Sequence, residues 1–390
     1  MGALRTFSIT ITLLLAILIA LPSNTNGTVN CSSDSLKNLL LQMPLPPELQ
    51  ALADEQAICL SDHQSTTMDS ALVSLHFKDI QTARKYFTDI IEAYPGDDTL
   101  RSEVYLLRGQ SFHYSGDLES ASADYLSATT LKPGWARAWS QYAFILNELK
   151  RHREGLQCAD SALKYRPDYP EAWNNRAKSL AGLGRARESL ASLDSALSYR
   201  HAFPDVWCNR GLTLTDLGKP AEALKCYDSA LAYDSLHGRA WFFKGSLIGE
   251  KNPQHVLTCM EKALACGFVD SRPWSIRGYL LKSTGRYEEA ISSFDSSLAL
   301  KPENYVAWMY RGLCLDKLGR YTDGLACYDS TIKYKHDSYH AWLNRAYCLA
   351  DIGRLKEALA SCDSALEYSP DLATAIKLKQ QLQDMIRSGR

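Results

Sequence analysis

The chain lacks an excess of charge of either sign. Its 390 residues carry 43 Lys and Arg against 44 Asp and Glu, a formal net charge of −1, so no overall field draws it towards nucleic acid or anionic lipid. Catalytic signatures are missing too: there is no glycine-rich phosphate loop, no His-Glu-x-x-His and no nucleophile elbow. Neither an enzymatic activity nor a cofactor is expected. None of the eleven cysteines forms a Cys-x-x-Cys pair, which removes the usual zinc and thioredoxin spacings. His336 and His340 straddle the boundary of a repeat and lack further ligands, so no metal site is expected.

Long apolar runs are also scarce, with one exception. Residues 9–21 are apolar apart from Thr10 and Thr12, behind the single charge of Arg5. A short apolar core after one basic residue reads as a secretory signal, too short for a comfortable membrane span. Cleavage is expected after Ala20 or Gly27; the alternative is an uncleaved anchor that leaves residues 5–21 as a membrane tether. Either way the chain is expected to be exported, as a periplasmic, secreted or membrane-anchored protein facing outside the cytoplasm. Val29-Asn30 before Cys31 departs from a lipoprotein signal. The sequons at Asn26 and Asn30 matter only in a eukaryotic secretory pathway.

What the chain has in abundance is repetition. Trp139, Trp173, Trp207 and Trp241 lie 34 residues apart, Trp274 follows after 33, and Trp308 and Trp342 resume the spacing of 34. A fixed period of this size marks a helical array. The units are 136–169, 170–203, 204–237, 238–270, 271–304, 305–338 and 339–372, preceded by 102–135, where Tyr105 replaces the Trp, and by a degenerate unit, 64–97. Residues 1–27 are the leader, 28–63 an irregular segment, and 373–390 a final helix that caps the array.

Each unit reads as two helices. Trp207, Gly211 and Leu214 repeat as Trp308, Gly312 and Leu315, and Ala223, Tyr227 and Ala230 repeat as Ala290, Phe294 and Ser297. Spacings of four and seven line one helix face. Gly184, Gly218, Gly285, Gly319 and Gly353 fall between the two helices, where a left-handed cap is needed. Pro133, Pro167, Pro302 and Pro370 end units. Unit 238–270 breaks the pattern with Lys251-Asn252-Pro253 in place of the glycine, and an irregular turn is expected there.

The Trp, Gly or Ala, turn Gly, Ala, and Tyr or Phe in this register over residues 102–372 resemble the tetratricopeptide repeat. The resemblance implies an all-α fold, an α-α superhelix or solenoid of about eight to nine helix-turn-helix repeats. It also implies a scaffold that binds a peptide or protein segment in the concave groove lined by the first helices. An alternative is a substrate-recruiting subunit of an envelope-associated enzyme or assembly complex. Carried over by register, the groove would include Phe144, Asn147, Asn174, Lys178, Leu212, Phe242, Ser275, Tyr279, Met309, Leu313, Leu343 and Tyr347. The competing reading is that several of these touch the next helix and are core. Asn175, Asn209 and Asn344 occupy one position of the family's carboxylate clamp, but Asn174, Cys208 and Leu343 stand where its Lys is expected, so that clamp is read as absent.

One departure from the family pattern is systematic: a base replaces the Leu before the Gly. Arg108, Arg176, Arg210, Lys244, Arg277, Arg311 and Arg345 recur beside Asp160, Asp194, Asp228, Glu261, Asp295, Asp329 and Asp363. One base and one acid per unit predict a ladder of structural ion pairs between first helices and neighbouring second helices, because a half-buried Arg needs a carboxylate. A basic stripe for an anionic ligand is the alternative. Cys158, Cys226, Cys259 and Cys327 recur at one position of their units and read as small packing residues, while Cys314–Cys327 is the candidate bridge if the chain is exported. Tyr165, Tyr199, Tyr233, Tyr334 and Tyr368, at the ends of second helices, read as junction packing.

Overall fold

The computed structural model describes residues 80–249 and 252–388. The leader, the irregular segment and the first helix expected in unit 64–97 lie outside them. Eighteen α-helices and no strand occur among the described residues, the architecture of an all-α helical repeat. The chain divides between Ala138 and Trp139 into two compact units.

The first unit contains α1 (Ile80–Ala93), α2 (Asp98–Tyr114), α3 (Leu118–Leu131) and the start of α4 (Ala136–Glu148). Ala83, Phe87 and Ile90 form the buried stripe of α1 and pack on Leu100, Val104 and Leu107 of α2. The second unit continues with α5 (His152–Tyr165), α6 (Pro170–Gly182), α7 (Ala186–Tyr199), α8 (Pro204–Asp216), α9 (Pro220–Tyr233), α10 (Gly238–Ile248) and α11 (Pro253–Ala265). It is completed by α12 (Ser271–Ser283), α13 (Tyr287–Leu300), α14 (Tyr305–Lys317), α15 (Tyr321–Tyr334), α16 (Tyr339–Asp351), α17 (Leu355–Tyr368) and α18 (Ala373–Ser388). The even-numbered helices are first helices; α2, and α6 to α16 in the second unit, each pack on their own second helix and on the second helix before it. Helix α18 packs on α17 as the first helix of a further repeat would; Ala375, Leu378 and Leu382 are its buried stripe.

Two features of the sequence set this geometry. A Cβ added to Gly211 would lie 2.5 Å from Cε1 of Tyr227, and Gly278, Gly312 and Gly109 face Phe294, Tyr328 and Tyr125 in the same way. The small residue is therefore the seat of the aromatic ring. The Trp has a polar role as well: its Nε1–H donates to the carbonyl six residues earlier, Trp173 to Pro167 at 2.8 Å, Trp207 to His201 at 2.9 Å and Trp342 to His336 at 2.9 Å. Each of these indoles thereby fastens the turn between two repeats.

The expected irregularity is present. Helix α10 has 11 residues where α8 and α12 have 13, and it ends on Gly249 at φ 59°, ψ −148°. Asn252 then caps α11 by accepting from the His255 N–H at 3.1 Å, with Pro253 in the first turn. No disulfide occurs among the described residues; Cys314 and Cys327 are both buried free thiols. Cys158, Cys226 and Cys259 are buried alike, so the recurring position is a packing slot.

Candidate functional site

The first helices of successive repeats touch one another directly, α6 with α8, α8 with α10, α12 with α14 and α14 with α16. They expose two rows of side chains four residues apart. Asn174, Phe242 and Leu343 belong to the earlier row and are buried. Asn147 is buried too. This corrects the groove drawn from register alone: a residue one helical turn earlier points towards the neighbouring helix, not towards solvent. Phe242 packs on Phe243 and Phe268, and Leu343 joins the core beneath α18. Met309 of that row stays half-buried, as does Phe144. The later row is accessible: Lys178, Leu212 and Leu313 are half-buried, while Tyr279 and Tyr347 are 38% and 42% exposed.

The buried amides hold the helices in place. The Asn147 Nδ2–H donates to the Asn175 carbonyl at 3.0 Å, and the Ser179 hydroxyl donates to Asn147 Oδ1 at 2.8 Å. Asn175 Nδ2–H donates to the Ser140 carbonyl at 2.9 Å. Asn209 donates to Asn174 Oδ1 at 2.8 Å and in turn accepts from an Arg239 guanidinium N–H. Asparagines at these positions thus join one repeat to the next.

At the end of this chain two cations meet. The Lys178 ammonium lies 4.7 Å above the Phe144 ring and 3.9 Å from Glu148 Oε1. Its pKa is held below the ordinary lysine value, first by desolvation and then by the nearby Arg239 charge. The Arg239 Nε–H is buried without a hydrogen-bond partner. Beside them, His237 Nδ1 accepts from the Ala240 N–H, which caps α10, and its Nε2 lies 3.3 Å from Asp205 Oδ1. That hydrogen bond, opposed by burial and aided by the His237, Arg239 and Lys178 charges, holds the Asp205 carboxyl below its usual range. Of the sequence candidates only Lys178, Asn174 and Phe144 belong here. Asn209 entered the sequence reading only through the clamp read as absent, and Arg239, Asp205 and His237 did not emerge from it, because they come from two repeats and meet Lys178 of a third.

A second cluster lies further along. The Tyr279 and Tyr310 rings meet edge-on with centroids 5.3 Å apart, and the Lys282 ammonium sits 5.5 and 4.9 Å from their centroids.

The recurring bases and acids form pairs between each first helix and the second helix preceding it. Arg176–Asp160, Arg210–Asp194, Arg311–Asp295 and Arg345–Asp329 span 2.6–2.8 Å; Lys244–Asp228 spans 2.7 Å and Arg277–Glu261 3.6 Å. Lys379 of α18 takes the same place towards Asp363, at 2.6 Å. Each guanidinium has a second arm that sequence reading did not find. Arg176, Arg277 and Arg345 donate to Ser192, Ser293 and Ser361, and Arg210 and Arg311 to the sulfurs of Cys226 and Cys327. Arg108 reverses the order, with Asp124 on its own second helix and the Thr88 hydroxyl on the preceding one. The carboxylates of the second unit are about half exposed, so each pair alone contributes little. Of the tyrosines that end second helices, Tyr233 and Tyr368 meet His201 and His336 edge-on, as junction packing requires. Tyr165, Tyr199 and Tyr233 nonetheless remain about half exposed.

The described residues thus define a helical-repeat protein whose chemistry lies along its first helices, and sequence comparison identifies the repeat. Tetratricopeptide repeat models match residues 102–134, 146–206, 204–235, 277–332 and 315–373, more than half of the chain. The chain belongs to the tetratricopeptide repeat family, whose fold typically serves as a non-catalytic scaffold for protein–protein interaction. Among solved structures, YrrB, described as a tetratricopeptide protein with an unusual peptide-binding site, is 21% identical, with 48% of this chain and 97% of that one covered and a TM-score of 0.46. The Cut9–Hcn1 assembly of the APC/C is similar at 12% identity over 82% and 76% of the chains, TM-score 0.49. The C-terminal part of a repeat protein from Cytophaga hutchinsonii is 20% identical over 61% and 98%, TM-score 0.47. No curated protein matches the chain by sequence.

Proposed function

We propose that the chain is an exported binding scaffold whose first helices hold an extended segment of another protein, with an acidic group of that segment seated between Lys178 and Arg239. The observation that carries this reading is the meeting of two partly desolvated cations, one with a buried Nε–H that finds no partner. A buried donor left unmade costs about 1–3 kcal/mol, and an incoming carboxylate supplies both the hydrogen bond and the countercharge. Glu148 and Asp205 limit the attraction for bulk anions, which favours a ligand with further contacts along the helices over a free ion.

The test is fluorescence anisotropy of labelled acidic peptides against the full chain, Lys178→Gln and Arg239→Gln. Each substitution should weaken an acidic peptide roughly tenfold or more, in keeping with a charged hydrogen bond of about 1.5–3 kcal/mol, and should leave its Gln-substituted counterpart unaffected. Equal binding of the acidic and amide peptides would overturn the reading. The salt slope separates this from a nucleic-acid site, since one or two charge contacts give a shallow dependence and a phosphate track a steep one.

A further inference from the structure

Among the described residues, three lysines of the first helices lie on aromatic rings, and two of them have a carboxylate as well. Lys178 has Glu148 at 3.9 Å beside the Phe144 ring. Lys244 has Asp228 at 2.7 Å beside the Trp241 ring. Lys282 of α12 differs. It is half-buried, and its ammonium lies 5.5 Å from the Tyr279 centroid and 4.9 Å from that of Tyr310. It has no carboxylate at ion-pair distance and no hydrogen bond among the described residues. Ring faces attract a cation, but they do not replace acceptors for its three N–H donors. A partly desolvated ammonium here therefore lacks the countercharge that the same array supplies to Lys178 and Lys244.

The rings around Lys282 are fixed by the fold. Tyr310 stands two residues after Trp308, the place that Asn175, Asn209 and Asn344 hold after their own tryptophans. Asn175 and Asn209 tie their helix to a neighbour by hydrogen bonds. Tyr310 instead stacks on the buried Phe294 ring with centroids 6.2 Å apart, and it meets Tyr279 of the preceding first helix edge-on. The Lys282 charge also reaches the buried Cys314 thiol of α14, opposing the burial that pushes that thiol up to about 11. Leu313 of α14, half-buried, and Tyr347 of α16, exposed, continue the surface without charge.

The charge count selects the ligand. No other cation lies over either ring among the described residues. A dianionic phosphate would keep half of its charge uncompensated against two ring faces that are themselves negative. A carboxylate is matched by the one ammonium, and an apolar neighbour on the same chain finds contact on Tyr279.

We infer that Lys282, Tyr279 and Tyr310 form a second acceptor on the first helices, for the carboxylate of an Asp or Glu in a partner polypeptide with an apolar residue next to it. This extends the groove reading above to a site that shares no residue with the Lys178–Arg239 seat, so each can fail alone.

The probes are eight-residue Gly/Ser peptides, acetylated and amidated, that carry Glu-Phe, Gln-Phe or phosphoserine-Phe at their centre. They are titrated by calorimetry into the full chain and into Lys178→Gln, which silences the first seat. In the Lys178→Gln background the Glu-Phe peptide should bind at least tenfold tighter than Gln-Phe. Adding Lys282→Gln should remove that difference at an unchanged melting temperature, and adding Lys282→Arg should keep most of it. Tyr279→Ser should weaken both peptides. Equal affinity of Glu-Phe and Gln-Phe in the Lys178→Gln background, or no measurable binding of Glu-Phe there, overturns the inference. If the preference for Glu-Phe is present in the parent and vanishes with Lys178→Gln alone, the first seat stands and this one falls. If it ignores Lys178→Gln and vanishes with Lys282→Gln, this site stands and the first seat falls. Tighter binding of the phosphoserine peptide than of Glu-Phe overturns the assignment of a singly charged ligand.

Discussion

At the scale of single residues, the fold turns on places where one atom too many cannot fit. Gly211 is the clearest: a methyl group there would meet the Tyr227 ring at 2.5 Å, and that ring is fully buried. Overpacking of this kind typically costs about 1–3 kcal/mol, so Gly211→Ala should lower the melting temperature by several degrees in differential scanning calorimetry. An unchanged melting point would mean that α8 and α9 part without penalty. Asp316 offers a second residue-level test. Its carboxylate accepts from the Cys348 thiol at 2.8 Å and from the Tyr328 hydroxyl, and it has no cationic partner within ion-pair distance. Burial raises its pKa above the usual carboxyl range, ahead of the opposing effect of those hydrogen bonds. A group whose folded-state pKa is raised contributes stability that is complete below the unfolded value, near 4, and is lost as pH climbs through the folded value. The melting-temperature difference between Asp316→Asn and the parent should therefore grow in favour of the variant between about pH 4 and pH 7. A flat difference across that range would show that the carboxyl titrates as if exposed.

At the scale of the helix pair, what joins repeats is the bridging base. Arg210 reaches Asp194 on one helix and Cys226 on another, and its aliphatic stem is largely covered. Asp228, by contrast, is more than half exposed where it meets Lys244. Loss of a solvent-screened pair costs about 0.2–1 kcal/mol. Asp228→Ala should thus give a small fall in melting temperature with peptide affinity intact, and Arg210→Ala a larger one, because it also removes packing. Unchanged melting with lost binding in Asp228→Ala would make the ladder a ligand stripe. From Arg176 to Arg345 the carboxylate partner of each base could be read from period and sign, but Asp124, the partner of Arg108 on its own second helix, could not. The second arm could not, because Ser and Cys at that position look like ordinary small packing residues until the guanidinium is seen to point at them. Depth was equally hard to read. The helical period told which side chains share a face, but Phe242 and Tyr279 sit one turn apart in equivalent repeats and differ from buried to exposed.

At the scale of the whole molecule, the period of tryptophans was sufficient to specify the family and the helix-by-helix order, since a stacked array needs nothing beyond local contacts and neighbour contacts. The cationic seat was not legible at that level. Lys178, Asn209 and Arg239 occupy different positions in three different repeats, so no motif of fixed spacing contains them, and only stacking brings them together. The break at Gly249 follows directly after this seat, which places the change from charged to aromatic surface at an irregular turn of the array.

The indole that fastens each junction has an optical consequence. Trp173, Trp207, Trp241, Trp308 and Trp342 all donate the same ring N–H to a turn carbonyl. Every one of those repeats therefore carries its own built-in fluorophore at the seam with its predecessor, and its emission and its deuterium uptake tell, seam by seam, where the stack comes apart.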